Sequence, residues 1–133
     1  KKNLFGLKTI QNYEIIEKDI YNENIFLKLN NKFNIIFLDP PYKDKNLENL
    51  LNEINNQNIL DKNGIIILHR HKNETDSLPQ NFQIIEQKVY GISTMALINY
   101  KFAGFEVFYF NSQYLRNNPI IKFLRYYKIQ KVW

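Results

Sequence analysis

The sequence predicts an α/β protein in which a parallel strand–helix–strand unit precedes an antiparallel strand pair. Residues Phe33–Leu38 and Ile65–Leu68 are near-continuous apolar runs rich in β-branched and aromatic side chains. Such runs are typical of strands that are buried on both faces of a parallel sheet. Later, Phe82–Tyr90 and Ile92–Tyr100 read as two strands joined tightly at Tyr90-Gly91, which predicts an antiparallel pair.

A helix is predicted between the two apolar runs. Asn46 can cap its start, and the apolar side chains that follow have the i, i+3, i+4, i+7 spacing of a helix packed on a sheet: Leu47, Leu50, Leu51 and Ile54. Lys62-Asn63-Gly64 is expected to end the connection before the second strand. A strand, helix and strand of this size form a βαβ unit, which is almost always right-handed.

The first apolar run stops abruptly at Asp39-Pro40-Pro41-Tyr42. The two consecutive X-Pro bonds push Asp39 and Pro40 into extended geometry, so the corner is stiff and neither proline has an N–H to donate. The carboxyl ends of strands are where open α/β sheets bind ligands. A carboxylate, a rigid carbonyl and an aromatic ring suit a flat ring that bears an amino group, because two acceptors can hold its hydrogens while the ring stacks.

Three polar residues, His69, Arg70 and His71, follow the second run at the same sheet edge as Asp39. His69 and His71 would share a strand face and could begin a metal site, but no third ligand is evident, and no metal site is predicted. The favoured interpretation is that all three side chains face solvent or a phosphate group. The next stretch, Lys72 to Asn81, is predicted to be a polar loop.

Near the start of the chain, Tyr13–Lys18 is predicted to be a short strand, with Asp19 at its carboxyl end. From the residues alone, Asp19 could cap a helix predicted near Asn22 to Asn31, because aspartate is a preferred N-cap residue.

Composition limits the class of protein. A chain of 133 residues is at most one domain, and its 44% hydrophobic and 23% charged residues indicate a globular fold. It has no cysteine, which excludes disulfides and thiolate metal sites and fits a reducing cytosol. Neither a spanning apolar segment nor a signal-peptide pattern is present, so a soluble, cytoplasmic protein is expected.

Charge is distributed unevenly. Residues 1–100 carry equal numbers of acidic and basic side chains, whereas residues 101–133 carry the whole net charge of +5 and half of the aromatic residues. This extension is predicted to contain a strand at Phe105–Phe110 and a helix starting at Asn118-Pro119. Basic and aromatic residues together can bind nucleic acid, but an A/T-biased coding sequence would give the same composition.

The corner also carries a family resemblance. Asp39-Pro40-Pro41-Tyr42 after a buried strand resembles the (Asp/Asn)-Pro-Pro-aromatic motif of S-adenosylmethionine-dependent methyltransferases that act on exocyclic amino groups of bases. With the following helix, the strand beginning at Gly64 and the later Tyr90-Gly91, residues 1–100 are similar to the second half of one branch. That branch is the bacterial 16S ribosomal RNA guanine-N2 methyltransferases of the RsmD type.

The resemblance implies a partial Rossmann-like methyltransferase sheet with a terminal antiparallel strand pair, and ribosomal RNA or the small ribosomal subunit as the partner. It implies that Asp39 and the Pro40 carbonyl accept the amino hydrogens in a corner that Pro41 keeps rigid, while Tyr42 stacks on the base. It also implies that Asp19 and Asp39 contact S-adenosylmethionine, Asp19 through the adenine amino group; for Asp19 this is the alternative to a helix cap, and both interpretations stay open. On this basis residues 1–100 form one unit and 101–133 an extension without a counterpart.

A glycine-rich turn for the cofactor is not found in the sequence, whose four glycines are widely spaced. The chain is therefore expected to be the carboxyl-terminal part of a methyltransferase, to bind the cofactor weakly or not at all and to be inactive by itself, and to leave an apolar edge open at Phe33–Leu38. Two alternatives remain. The protein could be a DNA adenine-N6 methyltransferase, which shares the motif, or an inactive nucleic-acid-binding remnant that uses residues 101–133.

Overall fold

The computed structural model describes residues 14–21, 25–29 and 31–101, in which four strands form one mixed sheet. The elements are a 3-10 turn at Phe26–Lys28, strand β1 (Phe33–Leu38), helix α1 (Leu47–Asn56), and strands β2 (Leu60–His71), β3 (Phe82–Tyr90) and β4 (Ser93–Tyr100). The strand order is β1-β2-β4-β3. β1 and β2 are parallel and the other two pairings are antiparallel, so the predicted strand–helix–strand unit and terminal pair are confirmed.

Helix α1 forms where the apolar spacing predicts it. All four predicted core positions are buried against the sheet: Leu47, Leu50, Leu51 and Ile54. Asn46 is the N-cap residue, but its side chain makes no capping bond; instead the backbone N–H of Asn46 donates to Oδ1 of Asp44 at 2.7 Å. The residue after the C-cap, Asn58, has φ of 54°, a left-handed conformation that asparagine tolerates and that ends the helix.

The core has two unequal parts because successive side chains of a strand point to opposite faces. On the face covered by α1, Ile66, Leu68 and Ile98 join the helix side chains in the larger cluster. On the other face, Ile65, Ile67 and Leu97 form a smaller cluster. The central strand β2 is thus buried on both faces at Ile65–Leu68, as its sequence predicts.

The prediction that Phe33–Leu38 is buried on both faces is wrong. β1 lies at the edge of the described sheet, and its side chains Phe33, Ile35 and Phe37 are 38%, 41% and 57% exposed. They project from the face opposite α1, where no described element covers them. A continuous apolar run shows that a strand is suited to burial on both faces. Whether the strand is buried depends on the elements that pack against it. The open apolar edge expected from the sequence is present in the described part of the chain.

Strand β2 begins earlier than predicted. The segment Lys62–Gly64, expected to be a connection, lies within it. Phe33 pairs with Leu60 and Ile35 with Ile65, so two steps along β1 correspond to five along β2 and the intervening residues bulge. Gly64 allows this packing, because a Cβ there would lie 2.6 Å from Cδ1 of Leu60 and 2.9 Å from the carbonyl oxygen of Asp61.

The hairpin between β3 and β4 turns at Gly91 and Ile92, since Tyr90 pairs with Ser93. Gly91 has φ of 62°, the conformation that a type II′ hairpin turn requires at its first central residue. The predicted pair is therefore confirmed, with β4 starting one residue later than expected.

Two predictions near the start of the chain differ from the structure. Glu14–Lys18, the described part of the predicted strand Tyr13–Lys18, is not in a strand, and Ile15 and Ile16 are exposed. Of the helix predicted near Asn22 to Asn31, the described residues form only the turn Phe26–Lys28. Alternating apolar residues become a strand only where a partner supplies hydrogen bonds, and no described strand pairs with Glu14–Lys18.

The elements predicted at Phe105–Phe110 and Asn118-Pro119 lie outside the described residues, as do Lys1 to Asn12. Among the helices that are described, none is long and apolar enough to cross a bilayer.

Candidate active site

The Asp-Pro-Pro-Tyr corner leaves the sheet at the carboxyl end of β1. Leu38, the last residue of β1, pairs with Leu68 of the parallel strand β2, which places Asp39 next to His69. Beyond the two prolines the chain turns back, because the N–H of Asp44 donates to the carbonyl of Pro41 at 2.9 Å. The corner is therefore held between the ends of two strands and the start of α1.

Asp39 is paired with His69. Nδ1 of His69 lies 2.8 Å from Oδ1 of Asp39, and the two side chains are 25% and 58% exposed. A carboxylate offers two oxygens and about four acceptor positions, so one contact with an imidazole leaves capacity for a ligand. Asp39 is thus oriented by a neighbour and remains accessible.

Tyr42 is supported by the second histidine. The rings of Tyr42 and His71 meet edge to face, with their centroids 5.4 Å apart and their planes at 62°. Aromatic pairs of this geometry stabilise each other by about 0.5–1.5 kcal/mol beyond the area they bury. Tyr42 nevertheless stays 39% exposed, so it is not part of the interior and its ring can meet a ligand.

Arg70 points to the opposite side of β2 from the two histidines and is only 3% exposed. Its guanidinium donates to the carbonyl of Pro41 at 2.8 Å, to the carbonyl of Asp44 at 2.9 Å, and to both carboxylate oxygens of Asp76 at 2.8 and 2.9 Å. The prediction that Arg70 faces solvent or phosphate is wrong. A buried guanidinium needs such partners, because an unpaired buried charge is strongly unfavourable.

Sequence reasoning placed these three residues at the right edge but missed what they contact. Alternation along β2 sends His69 and His71 to the side of Asp39 and Tyr42, and Arg70 to the side of α1. The sequence feature that could have predicted the contact is the parallel alignment of the two apolar runs, which places His69 beside Asp39. In the described part of the chain, no group of three or more His, Asp or Glu side chains could hold a metal ion.

Asp19 is connected to the corner through Tyr21. Oδ1 of Asp19 accepts a hydrogen bond from the N–H of Tyr21 at 2.9 Å, and the Tyr21 hydroxyl donates to Oδ2 of Asp44. Asp19 does not cap the described turn Phe26–Lys28, whose N-cap is Ile25. The structure therefore brings the segment of Asp19 to the turn that follows Tyr42, and the role of Asp19 toward a cofactor stays a prediction.

Electrostatics reinforce this connection. Burial, together with the bond to Asp44, raises the pKa of Tyr21 to about 12. The same bond, helped by the N–H of Asn46, holds the pKa of Asp44 below its usual value. Nearby, the ion pair with Lys45 lowers the pKa of Glu74. At neutral pH the phenol is therefore a donor and Asp44 an ionised acceptor.

A cleft of about 360 Å³ lies beside this region. Its walls include Arg70, His71 and Asp76 from the end of β2 and the loop after it, and Thr94 and Ala96 from β4. Asp39 and Tyr42 do not line it. The exposed groups of the corner therefore lie outside this cleft, although His71, which contacts Tyr42, is one of its walls.

The chain has recognisable relatives. Residues 1–99 match the model of a family described as Conserved hypothetical protein 95. The chain is 31% identical over 91 residues to Ribosomal RNA small subunit methyltransferase D of Buchnera aphidicola, an alignment that covers 67% of this chain and 46% of the relative. It is 30% identical over 76 residues to an uncharacterised methylase of Rickettsia prowazekii, covering 56% of this chain and 32% of that protein.

Solved structures show the same fold. A proposed methylase from Haemophilus influenzae superposes with a TM-score of 0.58 at 28% identity, covering 75% of this chain and 63% of that one. A proposed methyltransferase from Escherichia coli gives a TM-score of 0.56 at 26% identity, covering 75% of this chain and 55% of that one.

The fold and the relatives together define the class as that of the α/β methyltransferases. Within that class, the chain belongs to the family described as Conserved hypothetical protein 95, the RsmD-type family that the motif indicates. It spans between about a third and a half of the length of the curated relatives it matches.

Proposed function

We propose that this chain forms part of an S-adenosylmethionine-dependent enzyme that methylates the exocyclic N2 amino group of a guanine in 16S ribosomal RNA. The family and the name of the Buchnera relative support a ribosomal RNA methyltransferase. The base and the position of the methyl group rest on the resemblance of the corner.

The observation that carries the proposal is the geometry of the corner. The Asp39 carboxylate is oriented by His69 yet more than half exposed. Among the backbone carbonyls from Pro40 to Asp44 in the described chain, those of Pro41 and Asp44 accept hydrogen bonds from the protein, and that of Pro40 does not. Asp39 and Pro40 therefore offer two adjacent acceptors, the number that an NH₂ group needs.

These acceptors supply the chemistry that amino methylation requires from the protein. The lone pair of an aromatic amine is delocalised into its ring, so the nitrogen is a poor nucleophile. When Asp39 and the Pro40 carbonyl accept its two N–H bonds, the nitrogen is drawn toward a tetrahedral form whose lone pair points at the incoming carbon. Holding the reacting atoms in line is a contribution of proximity and electrostatics, and little general acid–base catalysis is needed.

Tyr42 holds the base once it has left its stack. Unstacking a base costs a few kcal/mol, and stacking it on an aromatic side chain returns about 1–3 kcal/mol. The edge-to-face contact with His71 orients the tyrosine ring, and its 39% exposure leaves it accessible to a base. The ring can thus supply stacking energy from an orientation that this contact favours.

The exposed carboxylates of Asp39 and Asp19 fit one part of a cofactor site, because carboxylates accept the N–H and O–H groups of an adenosine. When bound, S-adenosylmethionine supplies an electrophilic methyl group. The sequence has no closely spaced glycines, so a glycine-rich turn for the cofactor would have to come from the part of the relatives that this chain does not cover.

The test is methyl transfer from labelled S-adenosylmethionine to small ribosomal subunits that lack the modification. The chain is joined to the amino-terminal part of the Buchnera relative, and the intact relative serves as the positive control. We expect label in N2-methylguanosine, and its loss in Asp39→Ala. Glu53→Ala, which removes an exposed carboxylate on α1, is the matched control and should retain activity.

Nucleoside analysis of the product separates the alternatives. When DNA is offered in place of the ribosomal subunits, label in N6-methyladenine would replace the proposal by a DNA adenine-N6 methyltransferase. RNA binding without transfer, which survives Asp39→Ala and is lost when residues 101–133 are removed, would replace it by the inactive nucleic-acid-binding remnant.

A further inference from the structure

Arg70 is a charged side chain buried immediately behind the corner, and the chemistry proposed above does not use it. It is 3% exposed and belongs to the strand that also carries His69 and His71. A guanidinium in such a position is tolerated only when its donors are satisfied. Its partners therefore show what it does.

The guanidinium of Arg70 is bound by the carboxylate of Asp76 and in turn binds the backbone of the turn after β1. Asp76, in the loop after β2, accepts from Nε and Nη2 at 2.9 and 2.8 Å, the two-pronged geometry that fixes the plane of an arginine. Nη1 and Nη2 then donate to the carbonyls of Pro41 and Asp44. Arginine thus links the loop after β2 to the turn after β1.

The two carbonyls lie on either side of Tyr42. Pro40 and Pro41 have a fixed φ, so the freedom left in the corner lies in the backbone from Pro41 to Asp44. Both ends of that stretch are bound to the guanidinium, and the Asp44 N–H closes the turn on the Pro41 carbonyl at 2.9 Å. Fixing these ends constrains the backbone of Tyr42, from which its ring projects.

We propose that Arg70, oriented by Asp76, is a positioning residue that sets Tyr42 and the Pro40 carbonyl relative to the Asp39 carboxylate. The inference deepens the proposed function and rests on it for its catalytic consequence, whereas its structural part concerns this chain alone. A displacement of about 1 Å at a reacting centre can lower the rate about a hundredfold. The Arg70–Asp76 pair therefore acts through the corner, without touching the base.

Arg70→Lys is the informative variant. Lysine keeps the charge beside Asp76, but it is a point charge and cannot reproduce the planar fork that reaches two carbonyls and a carboxylate at once. Ile98→Val is the matched control, because it trims a fully buried side chain on β4, away from the corner, and lowers stability without touching these bonds.

The first readout is kinetic, in the protein joined to the relative's amino-terminal part. We expect Arg70→Lys to lower kcat by about tenfold to a hundredfold with a much smaller change in KM for RNA, because the fault is geometric. Ile98→Val should keep kcat near that of the unchanged protein. Equal losses of kcat in both variants would show that Arg70 serves stability only and would overturn the proposal.

The second readout needs no activity. In the 133-residue chain, the nuclear Overhauser contact between the rings of Tyr42 and His71 reports the position of Tyr42. We expect Arg70→Lys to weaken it and Ile98→Val to preserve it. An unchanged contact in Arg70→Lys overturns the inference whatever the kinetics show. A weakened contact in a protein that methylates no guanine sustains the positioning role and refutes the proposed function.

If Arg70→Lys fails to fold, Asp76→Asn replaces it under the same two readouts. Asparagine keeps one oxygen for the guanidinium and loses the second, so Arg70 is less well oriented while its charge remains. The same weakened ring contact and lowered kcat are expected. A ring contact and a kcat that are both unchanged in Asp76→Asn would overturn the proposal.

Discussion

Nδ1 of His69 and Oδ1 of Asp39 lie 2.8 Å apart, across the carboxyl ends of two adjacent parallel strands. Their residues are thirty positions apart in the sequence, and the contact exists only because β1 and β2 align Leu38 with Leu68. The contact with His69 orients one oxygen of the candidate catalytic carboxylate, and the Asp39 side chain remains 58% exposed.

Substitutions of Asp39 and His69 are expected to lower kcat to different extents. Asp39→Ala removes an acceptor on which the proposed reaction depends, so we expect a loss of about a hundredfold or more in kcat. His69→Phe leaves Asp39 in place but unsupported, and the loss of a hydrogen bond to a charged group corresponds to about tenfold or more. Methyl transfer by the joined protein is the measurement. Equal activity of His69→Phe and the unchanged protein would refute the supporting role.

Leu51 tests the core beneath the corner. It is fully buried between α1 and the sheet, so Leu51→Ala should lower the free energy of unfolding by about 2–5 kcal/mol. Leu27→Ala is the control, because Leu27 is 60% exposed and its truncation should change stability by less than about 0.5 kcal/mol. Urea unfolding followed by circular dichroism gives both values. Similar effects of the two changes would contradict the assigned core.

Tyr21 gives a pH dependence with a defined sign. Its pKa is raised to about 12 by burial and by the bond to Asp44, so the folded state favours the neutral phenol. The stability from this bond is fully present below the ordinary tyrosine pKa of about 10 and is lost as pH rises toward 12. Asp44→Asn should move the pKa of Tyr21 down. NMR of the tyrosine ring carbons measures the pKa of Tyr21, and Tyr21→Phe assigns its signal. A pKa of Tyr21 near the ordinary value of about 10 in the unchanged chain would contradict the contact.

Asp44, the acidic partner of Tyr21, makes stability depend on pH in the opposite direction. The pKa of Asp44 is held low by the Tyr21 hydroxyl, so the stability it contributes is present above its ordinary pKa and is lost as pH falls through the lowered value. Tyr21→Phe should therefore make acid unfolding begin at a higher pH than in the unchanged chain.

Two glycines should respond differently to alanine. Gly91 has φ of 62° but open space around it, so Gly91→Ala should cost only the backbone strain of about 1–2 kcal/mol. At Gly64 the added carbon would meet Leu60 and the Asp61 carbonyl within 3 Å. Because the backbone must move there, Gly64→Ala should be at least as costly, at about 1–3 kcal/mol, and should shift the amide NMR signals of β1. Unchanged β1 signals would contradict the bulge as described.

The exposed row on β1 predicts self-association. Phe33, Ile35 and Phe37 form an apolar strip along a sheet edge to which no described strand pairs, a combination that favours aggregation. Phe37→Lys should shift the concentration at which association begins to higher values, as measured by light scattering. Leu27→Lys, which charges an equally exposed but isolated side chain, should have little effect. Equal effects of the two lysines would show that net charge is responsible.

The order of the elements could be predicted because its signals are local. Helix α1 follows from four apolar side chains in a helical spacing, and the Tyr90-Gly91 turn from a glycine that accepts positive φ. The burial of Phe33–Leu38 could not, because it depends on what packs against the strand. Glu14–Lys18, the described part of the strand predicted at Tyr13–Lys18, is not in a strand for a similar reason, because the sequence pattern does not supply a pairing partner.

At the corner, the sequence identified the residues that face outward and missed those behind them. Asp39 and Tyr42 are recognisable because their motif is short and contiguous. Arg70 was placed at the right sheet edge with the wrong environment, because a string of three polar residues does not show which one turns inward. The pairing of Leu38 with Leu68 shows that Arg70 is the residue that turns inward, and this pairing is known only from the folded chain.

The bulge between Leu60 and Ile65 determines which side chains of β2 reach the corner. Sliding the strand by one residue would exchange its two faces, so that a guanidinium would meet Asp39 and imidazoles would meet Asp76. With the pairing at Leu60 kept, loss of one residue before His69 would bring Arg70 beside Asp39, whereas loss of two would bring His71 there and put Lys72 in the buried place of Arg70. The length of this short segment therefore decides which side chains surround the corner.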